Sequence, residues 1–295
     1  DAGTLNNRGT VLHAMGRLEF ALADFDRSLE LRPGHPVTLS NRGVTLHALG
    51  RLEDALSDFF ASLQKRPDNS QTLHNRAAVL EGLDRYDAAL VDLNRADRMA
   101  PSDHAIFNSR GVVLARLGRH QQALEDFDRA LTLKPADPDV LNNRGVAKRR
   151  LGLQQEAIMD FDRSLGVKPA EPDVLFNRGA VFDEMESHAE ALADYNRSVE
   201  LRPDDVGALG RRGVVLAKLD RLEEALADFD RSLELSPEQA DVLQDRGIVR
   251  GRLEQYKEAL ADFSRVLEIK PDVVAPVYNR ACVLSLMGDL EASLN

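Results

Sequence analysis

Apolar side chains recur along this chain at helical spacing, and the phase of the pattern restarts at regular intervals. In one copy the first stripe steps by four, three and three positions: Leu209, Gly213, Leu216 and Leu219. A second stripe follows after a short polar break: Leu222, Ala225, Phe229 and Leu233. Pro237 then ends the unit, because proline cannot continue a helix interior. The pattern predicts two amphipathic helices joined by a tight turn.

This unit is 34 residues long and is repeated without a slip of register. Its clearest marker is the tripeptide Asn7-Arg8-Gly9, which returns, slightly altered, at 41–43, 75–77, 109–111, 143–145, 177–179, 211–213, 245–247 and 279–281. Eight complete repeats cover residues 2–273, and a ninth, residues 274–295, stops partway through its second helix. Average domain size would divide 295 residues into two domains, but stacked repeats predict one continuous solenoid.

The turn between the two helices of a repeat is predicted to contain a residue in the left-handed conformation. Five repeats place glycine there: Gly16, Gly50, Gly118, Gly152 and Gly288. The other four place a residue with a side chain: Asp84, Glu186, Asp220 and Glu254. Because a Cβ atom disfavours this conformation, we expect those four turns to be slightly strained.

The second helix of each complete repeat has Ala at one position, a bulky residue four positions later and Pro beyond its end. The bulky residue is Phe or Tyr in every complete repeat except one, which has Leu93. Together with Gly or Ala in the middle of the first helix, this 34-residue signature resembles the tetratricopeptide repeat over essentially the whole chain. The resemblance implies an all-α, right-handed superhelical solenoid of antiparallel helix pairs, whose first helices line a concave groove.

Every complete repeat also carries an arginine in the first helix and an aspartate 16 residues later in the second. The pairs are Arg8/Asp24, Arg42/Asp58, Arg76/Asp92, Arg110/Asp126, Arg144/Asp160, Arg178/Asp194, Arg212/Asp228 and Arg246/Asp262. Because the pairing does not depend on what lines the groove, we interpret it as a structural ion pair between the helices rather than a ligand site.

The residue before that arginine is asparagine in six of the nine repeats: Asn7, Asn41, Asn75, Asn143, Asn177 and Asn279. An amide has both donors and an acceptor, so a row of amides can bond the backbone of an extended peptide. The row is similar to the asparagine ladder inside the superhelix of O-linked N-acetylglucosamine transferases, which implies a peptide-binding role. The alternative is that each asparagine bonds its own scaffold.

Selectivity for a ligand is predicted to come from inward positions that vary between repeats. Several are basic and favour an acidic peptide: Arg116, Arg149, Arg150, Arg211, Lys218 and Arg252. Phe176 lies among the acidic residues of repeat six and predicts an apolar anchor within a mixed-charge ligand. The alternative is that these charges are simply solvated.

Composition and charge exclude several classes of protein. With 38 Lys+Arg against 49 Asp+Glu, the net charge of −11 repels nucleic acid. No apolar stretch is long enough to span a membrane, and the single Cys282 cannot form an internal disulfide. We find no motif for catalysis or for a cofactor. His13 and His47 share one position in successive repeats, but we expect an intervening helix to keep them from binding one metal ion.

The sequence therefore predicts a non-enzymatic scaffold that binds an extended protein segment in its groove. The alternative is the substrate-recruiting arm of a larger enzyme such as a glycosyltransferase, which the incomplete ninth repeat suggests. A third possibility is end-to-end self-association through uncovered repeat faces. In the absence of a secretory signal we expect a cytoplasmic protein.

Overall fold

The computed structural model describes residues 1–288, which form seventeen α-helices and no strand. The all-α fold predicted from the sequence is confirmed. The chain divides into two compact units, Asp1–Leu153 and Gln154–Asn295, with the boundary in the turn of repeat five. The predicted second helix of repeat nine lies outside the described residues, and a single continuous solenoid stays a prediction.

Helices of the first unit are α1 (Ala2–Ala14), α2 (Leu18–Leu31), α3 (Pro36–Ala48), α4 (Leu52–Lys65), α5 (Ser70–Gly82), α6 (Tyr86–Met99), α7 (His104–Arg116), α8 (His120–Leu133) and α9 (Pro138–Arg150). Helices of the second unit are α10 (Gln154–Val167), α11 (Pro172–Glu184), α12 (His188–Leu201), α13 (Val206–Lys218), α14 (Leu222–Leu235), α15 (Ala240–Arg252), α16 (Tyr256–Ile269) and α17 (Val274–Leu286). Odd-numbered helices are the first helices of their repeats and even-numbered helices the second. Within each unit consecutive helices pack together, and each first helix also contacts the next first helix.

Polar side chains just before the first helices determine where several of them begin. Oδ1 of Asp1 accepts a hydrogen bond from the Thr4 amide at 2.9 Å, and Oδ1 of Asn69 accepts one from the Thr72 amide at 2.9 Å. Such caps satisfy backbone donors that have no partner inside the helix. Helices α3, α9 and α11 begin with proline, whose fixed φ suits the first helical turn, and in α9 the Asp137 carboxylate also accepts from the Asp139 and Val140 amides.

The turns inside the repeats adopt the predicted left-handed conformation. φ is 56° at Asp84, 60° at Glu186 and 62° at Asp220, close to the 74° of Gly118. The residue after the turn closes the helix end, as where the Arg85 amide donates to the Leu80 carbonyl at 2.8 Å. The sequence therefore identified these turns correctly, including the ones without glycine.

Close approach of the two helices in a repeat depends on one small residue facing one ring. An added Cβ at Gly111 would lie 2.5 Å from Cε1 of Phe127, which is buried. Repeat three has the opposite combination, a buried Ala77 with a buried Leu93 in place of the ring. The methyl group and the smaller side chain thus occur together, as expected where packing is dense.

In repeat two the recurrent arginine joins three helices. Nε and Nη2 of Arg42 donate to Asp58 of the same repeat, both at 2.7 Å, while Nη1 donates to Asp26 of the preceding repeat at 2.7 Å. These hydrogen bonds raise the pKa of Arg42 above its usual value, the bond to Asp58 most strongly. The same pairing is present in the other repeats that lie within one unit: Arg8/Asp24, Arg76/Asp92, Arg110/Asp126, Arg178/Asp194, Arg212/Asp228 and Arg246/Asp262. The structural interpretation of these pairs is confirmed.

Candidate functional site

All residues predicted to bind a peptide lie on first helices. Those of the first unit are Asn7, Asn41, Asn75, Arg116, Asn143, Arg149 and Arg150. Those of the second unit are Phe176, Asn177, Arg211 and Asn279. They belong to two groups, one in each unit.

Side chains of consecutive first helices bond directly to each other in the first unit. Nδ2 of Asn41 donates to Oδ1 of Asn6 at 3.1 Å, and Nδ2 of Asn143 donates to Oδ1 of Asn108 at 3.1 Å. In the repeat between them, Nε2 of His74 and Oγ of Ser109 are 2.7 Å apart. Each bond joins residues separated by 35 positions. The expectation that a second helix separates consecutive first helices is therefore wrong, because the first helices contact each other directly.

Asn41 and Asn143 use their amide donors, but not their acceptors, for bonds within the described part of the protein. The donors of Asn41 and Asn143 hold neighbouring repeats together, whereas their Oδ1 atoms accept no hydrogen bond from any residue of the described range. Oδ1 of Asn75 accepts a bond from Gln71 of its own helix at 2.9 Å. Asn41 and Asn143 are both half-buried. Each thus retains an acceptor for the backbone N–H of a ligand.

An apolar seam runs beside these asparagines in the first unit. One turn further along α3, α5, α7 and α9 lie half-buried small or branched side chains: Val44, Ala78, Val112 and Val146. The surface of the first unit therefore alternates hydrogen-bonding groups with apolar contacts, which is the pattern that an extended peptide requires.

The basic residues differ in how far they are already neutralised. Arg116 and Arg150 are exposed and have no ion pair within residues 1–288, whereas Arg149 is half-buried. In the second unit Lys218 pairs with Asp183 at 2.6 Å and Arg252 pairs with Asp220 at 2.7 Å. Arg211 in that unit is exposed with no partner among the described side chains.

Phe176 serves the core as well as the surface. Its ring centroid lies 5.7 Å from that of the buried Tyr195, with the rings tilted by 57°. It also packs against Val199 and Leu209, which leaves it half-buried. Only part of the ring remains accessible as an anchor for a ligand.

Asp245 occupies the asparagine position on α15 and is not among the residues that the sequence predicts to bind a peptide. This carboxyl is half-buried and has neither a hydrogen bond nor an ion pair with any residue in the described part of the chain. Burial raises the pKa of Asp245 to about 6; the negative charge of Asp241 adds to the rise and Arg211 opposes it. The signal was present in the sequence, because Gly210 replaces the side chain that elsewhere bonds this position.

Other chemistry is not evident on the described surface. Residues 1–288 hold no cluster of three or more His, Cys, Asp or Glu side chains arranged to bind a metal ion. None of the helices in the same range combines the length and hydrophobicity needed to cross a lipid bilayer.

Three family models, each described as tetratricopeptide repeat, match this chain. One matches residues 1–64, a second matches 75–138 and 142–206, and a third matches 179–244. Together they cover more than half of the sequence. The comparison with curated proteins gives no match.

Solved structures with similar folds share low sequence identity with the chain. YrrB, described as a TPR protein with an unusual peptide-binding site, is 24% identical with a TM-score of 0.54, over 63% of this chain and 96% of its own. A chain of the APC/C hetero-tetramer Cut9–Hcn1 is 17% identical with a TM-score of 0.72, over 90% of this chain and 52% of its own. A tetratricopeptide repeat protein from Parabacteroides merdae is 19% identical with a TM-score of 0.68, over 84% of this chain and 98% of its own. At these identities the likeness shows the fold alone.

Proposed function

Because this chain belongs to the tetratricopeptide repeat family, whose members are generally protein-interaction scaffolds, we propose that it binds an extended segment of a partner protein along its first helices. The single observation that carries the proposal is the surface of the first unit. There, half-buried Asn41 and Asn143 keep free acceptor oxygens beside an apolar seam. The unusual peptide-binding site described for YrrB supports the same role by analogy.

The bound segment is recognised mainly through its backbone. Asn41 and Asn143 offer Oδ1 to peptide N–H groups, while Val44, Ala78, Val112 and Val146 contact side chains of the ligand. Unpaired Arg116 and Arg150 favour carboxylates nearby, which keeps an acidic or mixed-charge ligand as the expected one. The role is non-catalytic, and the cytoplasmic location stays a prediction.

The comparisons do not confirm the resemblance to O-linked N-acetylglucosamine transferases, and no observation favours an enzyme arm over a scaffold. End-to-end self-association likewise stays a prediction without support from the comparisons.

Two alanines of repeat three provide a matched test. Ala78 lies in the apolar seam on α5, and Ala88 is exposed on α6, the second helix of the same repeat. Peptides are first selected on the wild-type protein from a random dodecapeptide library, and their affinities are measured by fluorescence anisotropy. Ala78→Glu is expected to weaken binding about tenfold or more, since it places bulk and charge in the seam. Ala88→Glu is expected to leave affinity unchanged.

Equal affinities of the two variants would contradict the proposal, as would a library from which no peptide is enriched. Circular dichroism of both variants shows whether the helices are intact.

A further inference from the structure

The asparagine position is interrupted in repeat eight by the carboxyl of Asp245. In three repeats of the first unit the residue at this position bonds the side chain that lies 35 residues earlier, on the preceding first helix: Asn41 bonds Asn6, Ser109 bonds His74 and Asn143 bonds Asn108. For Asp245 that earlier position is Gly210, which has no side chain. The carboxyl is left half-buried and without a hydrogen-bond partner in residues 1–288.

The backbone of α13 lies close to α15 at Gly210. A Cβ added to Gly210 would lie 3.3 Å from Cγ2 of Val242 on α15, tighter than an ordinary van der Waals contact. The two helices therefore approach each other at Gly210 itself. Any side chain at this position therefore requires Val242 to shift by a few tenths of an ångström.

A cavity of about 180 Å³ opens beside the carboxyl between α13 and α15. Five of its eight lining residues are apolar, and this Asp245 pocket is defined by its lining: Val214, Ala217, Lys218, Phe229, Asp245, Ile248, Val249 and Arg252. The two cations are already engaged, Lys218 with Asp183 at 2.6 Å and Arg252 with Asp220 at 2.7 Å. Arg252 also donates to the Ala217 carbonyl at 2.9 Å. The pocket thus combines apolar walls with one carboxyl that lacks a counter-ion.

We propose that the Asp245 pocket receives a lysine side chain of the bound partner segment, with its aliphatic stem against Val214, Ala217 and Ile248 and its ammonium donating to the Asp245 carboxylate. The inference rests on the proposed function, because it names one residue type of the ligand. Lysine matches both parts of the pocket, since its stem buries against apolar surface while its head needs an anionic partner.

Charge complementarity favours a cation over a neutral donor. The charged groups that face or influence this carboxyl are Asp241, Arg211, Lys218 and Arg252. Of these, Lys218 and Arg252 are paired, and Asp241 is held by Lys270 at 3.0 Å. Arg211 keeps its charge exposed nearby without pairing to Asp245. A half-buried carboxylate without a counter-ion is unfavourable, and a ligand ammonium supplies that counter-ion.

The test uses methyl-labelled protein and a minimal probe. N-acetyl-lysine N-methylamide and N-acetyl-norleucine N-methylamide differ mainly in the ammonium group, so each is titrated at about pH 7.5, where Asp245 is ionised. The methyl resonances of Val214 and Ile248 report occupancy of the pocket. Saturable shifts are expected with the lysine derivative, with an apparent affinity at least about fivefold above that of the norleucine derivative.

Two carboxamide variants make the test specific. Asp245→Asn is expected to abolish the preference for lysine, whereas Asp241→Asn, which removes an exposed charge from the same helix, leaves it intact. Equal binding of the two derivatives, the absence of saturable shifts, or a preference that survives Asp245→Asn would each overturn the pocket assignment.

Failure of the pocket and failure of the proposed function remain distinguishable. If selected peptides lose affinity with Ala78→Glu but the probe shows no dependence on Asp245, the pocket assignment alone is wrong. If the probe binds at Asp245 while Ala78→Glu has no effect on peptides, the proposed surface of the first unit is wrong.

Discussion

The contact between Gly111 and Phe127 predicts that Gly111→Ala lowers the free energy of unfolding in the wild-type protein and raises it when residue 127 is leucine. In the wild-type protein Gly111→Ala places a Cβ 2.5 Å from Cε1 of Phe127, so the ring must move within a packed core. Overpacking of this kind costs about 1–3 kcal/mol, which exceeds the gain of about 1 kcal/mol from replacing glycine by alanine in a helix. We expect Gly111→Ala to lower the free energy of unfolding.

The Phe127→Leu background reverses this expectation, because adding Gly111→Ala to it recreates the pairing of Ala77 with Leu93 in repeat three. Phe127→Leu alone leaves space beside Gly111 and costs less than the 3–5 kcal/mol typical of Phe→Ala, about 1–2 kcal/mol. Adding Gly111→Ala then fills that space and is expected to stabilise by up to about 1 kcal/mol. The coupling between the two substitutions is therefore about 1–3 kcal/mol.

Urea unfolding followed by far-ultraviolet circular dichroism measures all four proteins of this cycle. A nearest-neighbour fit is appropriate, since long repeat arrays do not unfold in one step. Gly166→Ala is the control for helix propensity, because an added Cβ at Gly166 meets nothing within 4 Å. The same effect of Gly111→Ala in both backgrounds would refute the packing argument.

Three further predictions follow from turns, ion pairs and burial, each checked by urea unfolding. Glu186→Gly, which relieves a side chain held at φ 60°, should stabilise by about 0.5–1 kcal/mol, and the converse Gly118→Glu should destabilise; equal signs would contradict the turn assignment. Arg42→Gln should cost about 3 kcal/mol because it strands the buried Asp58 carboxylate, whereas Asp26→Asn, which alters an exposed partner, should cost under about 1 kcal/mol; similar losses would refute the ranking. The folded-state pKa of Asp245 is raised from 3.8 to about 6, so wild-type stability relative to Asp245→Asn should be full below pH 3.8 and fall as pH rises through 6. After allowance for solvent screening that loss is about 1–2 kcal/mol, and a pH-independent difference would contradict it.

The repeat and its turns were predictable because each leaves a periodic signal in the sequence. Their register alone predicts left-handed turns at Asp84 and Glu186, and the structure confirms both. The pairing of Arg42 with Asp58 was predictable for the same reason, since eight repeats carry it.

The hydrogen bonds between neighbouring first helices were not predictable in the same way. The bond between Asn41 and Asn6 joins two residues that occupy different positions in their repeats. A comparison of the same position from one repeat to the next therefore does not reveal it. Whether a residue of the row has a hydrogen-bond partner also depends on the neighbouring repeat. Gly210, for example, offers no side chain to Asp245. Irregular positions of this kind depend on packing rather than on periodicity.

The central claim is that the asparagine row binds the backbone of an extended segment, and backbone methylation of the ligand tests it most directly. A peptide selected on the wild-type protein is resynthesised with single N-methyl groups at successive residues, and each version is titrated by fluorescence anisotropy. Methylation of the residues whose N–H groups are proposed to donate to Oδ1 of Asn41 or Asn143 is expected to weaken binding about tenfold, because it removes those donors. Unchanged affinity along the whole methylation series would contradict the account.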